Sequence, residues 1–317
     1  PSQGTDTMEQ LNSMIMLSDG SIGYYVIDFV IMLGFMAALR LIASSIAGTS
    51  LAEILARRDN FAAGITLAGA VIAVSILMMG VVAGEAGRSY IDEISLMAAY
   101  GVLAVALMGV TRKIFDPIAL PSVSIHAEIL RGNLAAGVVD AGNMISTAVM
   151  VRAAMSWIDG SSFLGLVVVL VIYLFSQLLL LGATLYRKKV FEIRHQQNYN
   201  QNGDNSDKTL ASEIANGNVA LALRFAGPRL GVGLAVTATS GMVIYDPALL
   251  LWSLLAWSVV AVMMFLAQTG FSIVLRQILL PGINIGQEVG EQRNIAIGSI
   301  EAAIYIGVGF TFVGLLG

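Results

Sequence analysis

The chain has no cysteine and only two histidines. The first absence excludes disulfides, thiolate metal sites and a cysteine nucleophile, and it leaves the redox compartment open. His126 and His195 alone cannot make a transition-metal site. Charge is also scarce. Acidic and basic residues make up 12% of the 317 residues, against about a quarter in soluble domains. The net charge of −4 carries no basic excess of the kind nucleic acid demands. No HExxH, P-loop or Ser–His–Asp arrangement is present, and Gly231-Val-Gly233 follows no strand, so it is no nucleotide fingerprint. The expectation is a protein without catalytic residues, cofactor or metal, and not an enzyme. Residues 1–20 lack a basic n-region and carry Asp6, Glu9 and Asp19, so they read as a polar tail and not as a cleavable signal.

What is abundant is apolar sequence, at 57% of residues with mean hydropathy +0.81. Bilayer-length runs predict an all-α, polytopic transmembrane helical bundle with eight spans, at roughly 22–46, 60–82, 93–113, 133–157, 162–186, 218–241, 247–279 and 294–316. Thirteen of the seventeen basic residues fall in one set of loops and flanks: Arg40, Arg57, Arg58, Arg112, Lys113, Arg131, Arg187, Lys188, Lys189, Arg194, Lys208, Arg276 and Arg293. The other side holds Arg88 and Arg152 among Glu85, Asp92, Glu93, Asp159 and Asp246. The positive-inside rule then places the basic loops in the cytoplasm and both termini outside. The Asn/Gln/Gly-rich stretch within 190–209 reads as a cytoplasmic connector.

One pattern recurs four times, each copy opening an apolar run. The copies start at Glu53-Ile54 with Asn60, Glu128-Ile129 with Asn133, Glu213-Ile214 with Asn218, and Glu288-Val289 with Asn294. Counting from each Asn, position +2 is Ala, +4 is small and +8 is Ala. The chain is therefore one two-helix unit used four times in the same orientation, as in parallel-repeat membrane proteins. The Asn suits an N-cap, the Glu a short interfacial helix, and the small residues close helix packing in lipid. That reading makes the motif architecture. The alternative gives the Asn or Glu a direct part in ligand handling.

The copies differ at position +7, which is Leu67, Asp140, Phe225 and Glu301. Two turns above the Asn, this residue lies about 10 Å into the span and beside the small-residue face, so it should point into the bundle. Asn143 and Thr147 continue the face of Asp140, and Tyr305 that of Glu301. The sixth span carries Arg224 and Arg229 around Pro228, whose ring frees a backbone carbonyl. Asp28 lies in the first span near Tyr24 and Tyr25, with Gln177 in the fifth and Gln268 in the seventh. Charges at this depth are expensive unless paired or hydrated. Three acids against two arginines point to ion pairs, with Arg224 or Arg229 facing Asp140 or Glu301. Buried carboxylates of this kind serve either an ion or proton site or an assembly device that fixes helix register.

The run LAEILARRDNFAAGITLAG at 51–69 resembles the bacterial inner-membrane family catalogued as domain-of-unknown-function family 350. The resemblance implies tandem four-span domains of paired helices, here 21–159 and 160–317, in the bacterial cytoplasmic membrane. It also implies a context of envelope stress near phage-shock-type coat proteins, and it carries over no catalytic residues. Asn216-Gly-Asn218 and Gln292-Arg-Asn294 depart from the Arg-Arg-Asp-Asn run of the first copy. Two functions compete. One is an ion- or proton-coupled transporter or ion-conducting protein using Asp140 and Glu301, with Arg224 and Arg229 as counter-charges. The other is a membrane scaffold or sensor whose basic loops recruit a peripheral cytoplasmic protein. The bilayer, a homo-oligomer and such a peripheral protein are the expected partners.

Overall fold

The computed structural model describes residues 22–47, 50, 52–82, 89–158, 163–202 and 209–317, without the side chains of 40–47, 116, 163 and 194–202. The tail 1–20, Glu85, Arg88, Asp159 and Lys208 lie outside the described residues, as do the side chains of Arg40, Arg194 and His195. Eight long helices carry the fold: α1 (Ile22–Ala47), α2 (Phe61–Val82), α3 (Tyr90–Ala119), α4 (Leu134–Trp157), α5 (Phe163–Asn202), α6 (Val219–Thr237), α7 (Leu250–Leu279) and α8 (Ile295–Leu316). No strand occurs among the described residues. A helix satisfies every backbone group within its own segment, which is what hydrocarbon demands of such apolar runs. All eight are long and apolar enough to span a membrane, so the protein is a multi-pass membrane protein in contact with lipid.

Two helices outrun their expected spans. α3 continues to Ala119, through Pro117. α5 continues to Asn202, so helix fills the first part of the stretch 190–209. Neither proline nor glycine occurs between Gly182 and Gly203 to stop it, and Gln and Lys are good helix formers.

The even-numbered helices form an inner row, α2–α4–α6–α8, in which each packs on the next. α4 and α6 are the centre, with 83% and 72% of their spans buried against 28% for α8. The odd helices lie outside this row. The small residues are what let the row form. A Cβ on Gly69 would meet Ala141, on Gly142 Ala226 and on Gly227 Ala302, each at 2.5 Å. Each +9 residue thus sits against the +8 alanine of the next copy. Likewise +4 packs on the preceding +2, with Gly137 on Ala62 and Gly298 on Ala220. Such backbone approach is the main source of helix association in lipid.

At one end of the row lie four short helices, Glu53–Arg57 (a π turn), Ile125–Leu130, Leu210–Ala215 and Ile285–Gly290. The apolar partner of each motif Glu anchors them, since Ile54, Ile129, Ile214 and Val289 are at most 4% exposed. The residue before each Asn adopts positive φ: Asp59 at 47°, Gly132 at 87°, Gly217 at 77° and Arg293 at 53°. That left-handed residue reverses the chain from short helix to span, which is why glycine occupies it twice.

Candidate functional site

The motif Asn side chains close the short-helix end in two directions. Asn133, Asn218 and Asn294 are N-caps whose Oδ1 accepts from the backbone N–H three residues on. Asn60 does the same for Ala63. Each amide then donates. Asn60 Nδ2 reaches Ile129 O at 2.8 Å, Asn133 reaches Ile214 O at 2.9 Å, and Asn218 reaches Val289 O at 3.0 Å. In every case the acceptor is the carbonyl after the Glu of the next copy. The Asn therefore caps its own span and ties the following repeat. The Glu steadies the donor in three copies, through Glu128 at 3.1 Å, Glu213 at 3.2 Å and Glu288 at 2.9 Å. Glu53 pairs instead with Arg57 at 3.2 Å. These eight residues have a complete architectural role in the geometry.

Of the expected pairs one forms, Arg224 with Glu301, while Asp140 and Arg229 take other partners. Asp140 and Glu301 are buried, at 5% and 0% exposure. Asp140 takes a two-point fork from Arg112, with Nε at 3.2 Å from Oδ1 and Nη2 at 2.9 Å from Oδ2. Glu301 lies between two arginines. Arg276 Nη1 donates to Oε1 at 3.1 Å, and Arg224 Nε sits 2.9 Å from Oε2 without hydrogen-bond alignment. So Arg224 meets Glu301, while Arg112 and Arg276, expected in the basic flanks, reach into the bundle. Both stand on the long outer helices α3 and α7, a turn or two from their ends, and point back along the span.

Arg229 faces no carboxylate among the described residues. Its guanidinium donates to Asn143 Oδ1 and Thr184 Oγ1, both at 2.6 Å, and to Leu180 O at 3.1 Å. The rings of Phe115 and Phe225 flank it at 5.0 and 5.5 Å. Polar dipoles and aromatic faces hold this buried cation instead of a counter-charge. The plain copy thus contributes a wall through Phe225 where the acidic copies contribute a charge. Thr147 does not join Asp140; it accepts from Gln177 at 3.3 Å.

Asp28 also stands apart from the cluster. Its charged neighbour is Glu93 of α3. Glu93 and Arg112 are nineteen residues apart on α3, about 28 Å at helical rise. Asp28 therefore belongs to the opposite end of the bundle from Asp140.

Pro228 explains one further contact. It removes the N–H that would bond Arg224 O, and Arg187 Nη1 donates to that carbonyl at 3.3 Å. Arg187 also lies 4.7 Å over the ring of Tyr305. Arg187, Arg224, Arg276 and Tyr305, with Gln277 and Gln287, line a cavity of about 530 Å³ between α5, α6, α7 and the short helix Ile285–Gly290. Its floor is the pair of arginines that grips Glu301. No group of three His, Asp or Glu side chains converges as metal ligands among the described residues.

The sequence matches the family described as Domain of Unknown Function (DUF350) over residues 14–155, 89–200 and 207–316. The chain belongs to this family. The overlapping matches follow the repetition visible in the inner row. No curated protein and no solved structure matches the chain. In this chain the family's sequence forms four Asn-capped helices in file, with charge added at +7 of the second and fourth.

Proposed function

We propose that this DUF350 protein moves a small anion across the bacterial cytoplasmic membrane, through a site built from intramembrane arginines that Asp140 and Glu301 hold in place. The observation that carries the proposal is the sign of the buried charge. With Arg112 and Arg276 drawn into the bundle, Arg112, Arg224, Arg229 and Arg276 stand against Asp140 and Glu301. The surplus is positive, and three arginines line the cavity against one carboxylate, Glu291. Guanidinium forks suit carboxylate and phosphate oxygens. A fixed positive potential favours entry of anions and raises a barrier to cations. A permeant anion can take over one arginine from Glu301, and the carboxylate keeps the other, so no bare charge is left at either stage. With the basic loops inside, the cavity is the cytoplasmic entrance.

A scaffold or sensor that recruits a peripheral protein is the second reading. The complete pairing of both inner carboxylates favours it, because ion pairs of this kind also fix helix register.

The test is flux into liposomes holding the purified protein, under an imposed potential and then a pH gradient. Chloride, nitrate, acetate and phosphate are offered in turn, with potassium as the cation control. The proposal expects anion-dependent flux that falls at least tenfold in Arg276→Gln and in Glu301→Gln, with the assembly unchanged in mass. Flux carried by potassium would overturn the anion assignment, and no flux of any ion would move the reading to the scaffold.

A further inference from the structure

The inner row has two ends, and they are complementary. Within the row each helix uses an onward face at +2, +9 and +13 and a backward face at +4, +8 and +15. Gly309 at +15 of α8 approaches the carbonyl of Gly231 at +13 of α6, where a Cβ would stand 2.8 Å away. Gly233 at +15 of α6 approaches Ser146 at +13 of α4, at 3.1 Å. The onward face is closed in the first three copies, where Ala62, Ala135 and Ala220 at +2 have no exposure. On α8 the same face is open. Ala296, Ala303 and Gly307 are exposed, and a Cβ on Gly307 would meet nothing within 4 Å. The backward face is closed in the last three copies, where Ala141, Ala226 and Ala302 at +8 are buried. On α2 it is open, with Ala68 exposed and Gly64 and Ser75 half-buried.

A second and separate observation lies in the polar bonds. The amides of Asn60, Asn133 and Asn218 each donate to a short-helix carbonyl of the following repeat. Asn294 makes its cap and its bond to Glu288, and its amide has no onward tie among the described residues. Its onward acceptor would be a carbonyl of the turn Glu53–Arg57, the first such segment of another chain.

We infer that the open face of α8 is occupied by α2 of a second copy of this chain, which continues the inner row head to tail from repeat four to repeat one. The contact is heterologous, so it builds a closed ring if the rotation per chain divides a circle and a longer row if it does not. Exposed small residues waste packing area against lipid and gain it against a close helix. Position +9 is Ala303 on this face where the internal copies have glycine, so the second chain stands slightly farther off than the internal neighbours do. This inference is independent of any transported ion.

The absence of cysteine makes the test direct. Ala68→Cys and Ala303→Cys both alter exposed positions and are oxidised in native membranes. The expected result is a multi-chain adduct from the double variant, a single dimer when the two single variants are co-expressed, and nothing from either single variant alone. Ala303→Cys linked to itself would overturn the inference in favour of a two-fold contact, and its linkage to a different protein would overturn it as well. Mass in lipid nanodiscs supplies the second measurement. Wild type is expected as several chains and Ala303→Trp as one, while Val259→Trp, on the exposed face of α7, keeps the wild-type mass. A single-chain wild type overturns the inference whatever the cross-linking shows.

Discussion

Replacing Asn218 measures what the repeat motif contributes. Its side chain has no exposure and makes three bonds: Oδ1 accepts from Leu221 N at 3.0 Å, and Nδ2 donates to Val289 O at 3.0 Å and to Glu213 Oε2 at 3.2 Å. The cap is worth about 1 kcal/mol. A neutral hydrogen bond adds about 1 kcal/mol, and one to a carboxylate about 1.5 kcal/mol or more. Asn218→Ala should therefore cost roughly 3 kcal/mol. Asn294 is half-buried, caps at 3.3 Å and binds Glu288 at 2.9 Å without an onward tie, so Asn294→Ala in the single chain should cost about half as much. Asn218→Ser separates the two roles, because serine keeps a cap oxygen and loses the amide. It should recover only the cap's share, about 1 kcal/mol. The assay is thermal unfolding in detergent, followed through tryptophan emission. Trp157 and Trp257 lie tilted against each other in the core, with ring centroids 6.2 Å apart, and report its opening. At about 2 °C per kcal/mol for a chain of this length, the Asn218 variant should melt on the order of 6 °C below wild type. The reasoning fails if Asn218→Ala is no more damaging than Asn294→Ala, or if Asn218→Ser restores wild-type stability.

The Arg112–Asp140 pair predicts non-additivity. Arg112→Met or Asp140→Leu alone leaves a buried charge and should cost about 3–5 kcal/mol, whereas the double substitution should recover most of that loss; additive losses in a thermal cycle would refute the pairing. Glycine substitutions should divide by position. Gly227→Ala drives a methyl into the backbone of Ala302 and should abolish assembly of a stable fold, while a Cβ on Gly270 meets nothing within 4 Å. Gly270→Ala should then stabilise by up to about 1 kcal/mol through helix propensity, read in the same melting assay. Asn143→Asp supplies Arg229 with the carboxylate it lacks and should be tolerated, whereas Asn143→Leu removes the 2.6 Å acceptor and should destabilise by about 2 kcal/mol or more; equal effects of the two would refute the electrostatic role of Asn143.

Most of the architecture was legible because hydrocarbon leaves few choices. The eight spans, the four parallel units and the N-cap role of each Asn all follow from local pattern, and helix geometry alone aims +7 inward. The partner assignments were not legible in this way. Whether Arg229 meets Asp140 depends on how α4 and α6 are rotated against each other, and no local pattern reports rotation. Counting Arg112 and Arg276 with the loops missed their role, because a positive-inside tally treats a helix-end arginine as solvated when its long side chain can reach a turn back into the bundle. The tie from each Asn to the next repeat spans 69 to 81 residues and left no local signal. The left-handed residue before each Asn went unread, although it is glycine in two copies, Gly132 and Gly217. Arg293 hid it, because its side chain is held by Glu213 at 3.4 Å in an otherwise disfavoured backbone state.

The division of labour between inner and outer helices explains why charge entered where it did. α4 and α6 keep small residues at +2, +4, +8, +9, +13 and +15 to pack on two neighbours, and α2 and α8 carry the same set, which leaves +7 free to vary. Four copies offered four such positions. Leu67 and Phe225 fill theirs with carbon, and Phe225 flanks Arg229 with its ring. Asp140 and Glu301 fill theirs with carboxylate. Only Arg224 among their partners comes from an inner helix, and it sits at +6, beside Phe225. Arg112 and Arg276 come from α3 and α7, which carry no small-residue code and can change without breaking the row. A difference in ion preference between repeats of this kind should therefore be written in the outer helices. Moving the α7 arginine one turn deeper, by Arg276→Gln with Ser272→Arg, would copy the register of Arg112, which lies nine residues before Pro121 as Ser272 lies nine before Pro281. Ser272 is fully buried, so the exchange should draw the floor of the cavity inward. In the flux assay this variant should retain Glu301 pairing and lose one of the three arginines that line the cavity, with anion flux falling as in Arg276→Gln alone. Flux equal to wild type would mean that the cavity arginine has no part in selecting the ion.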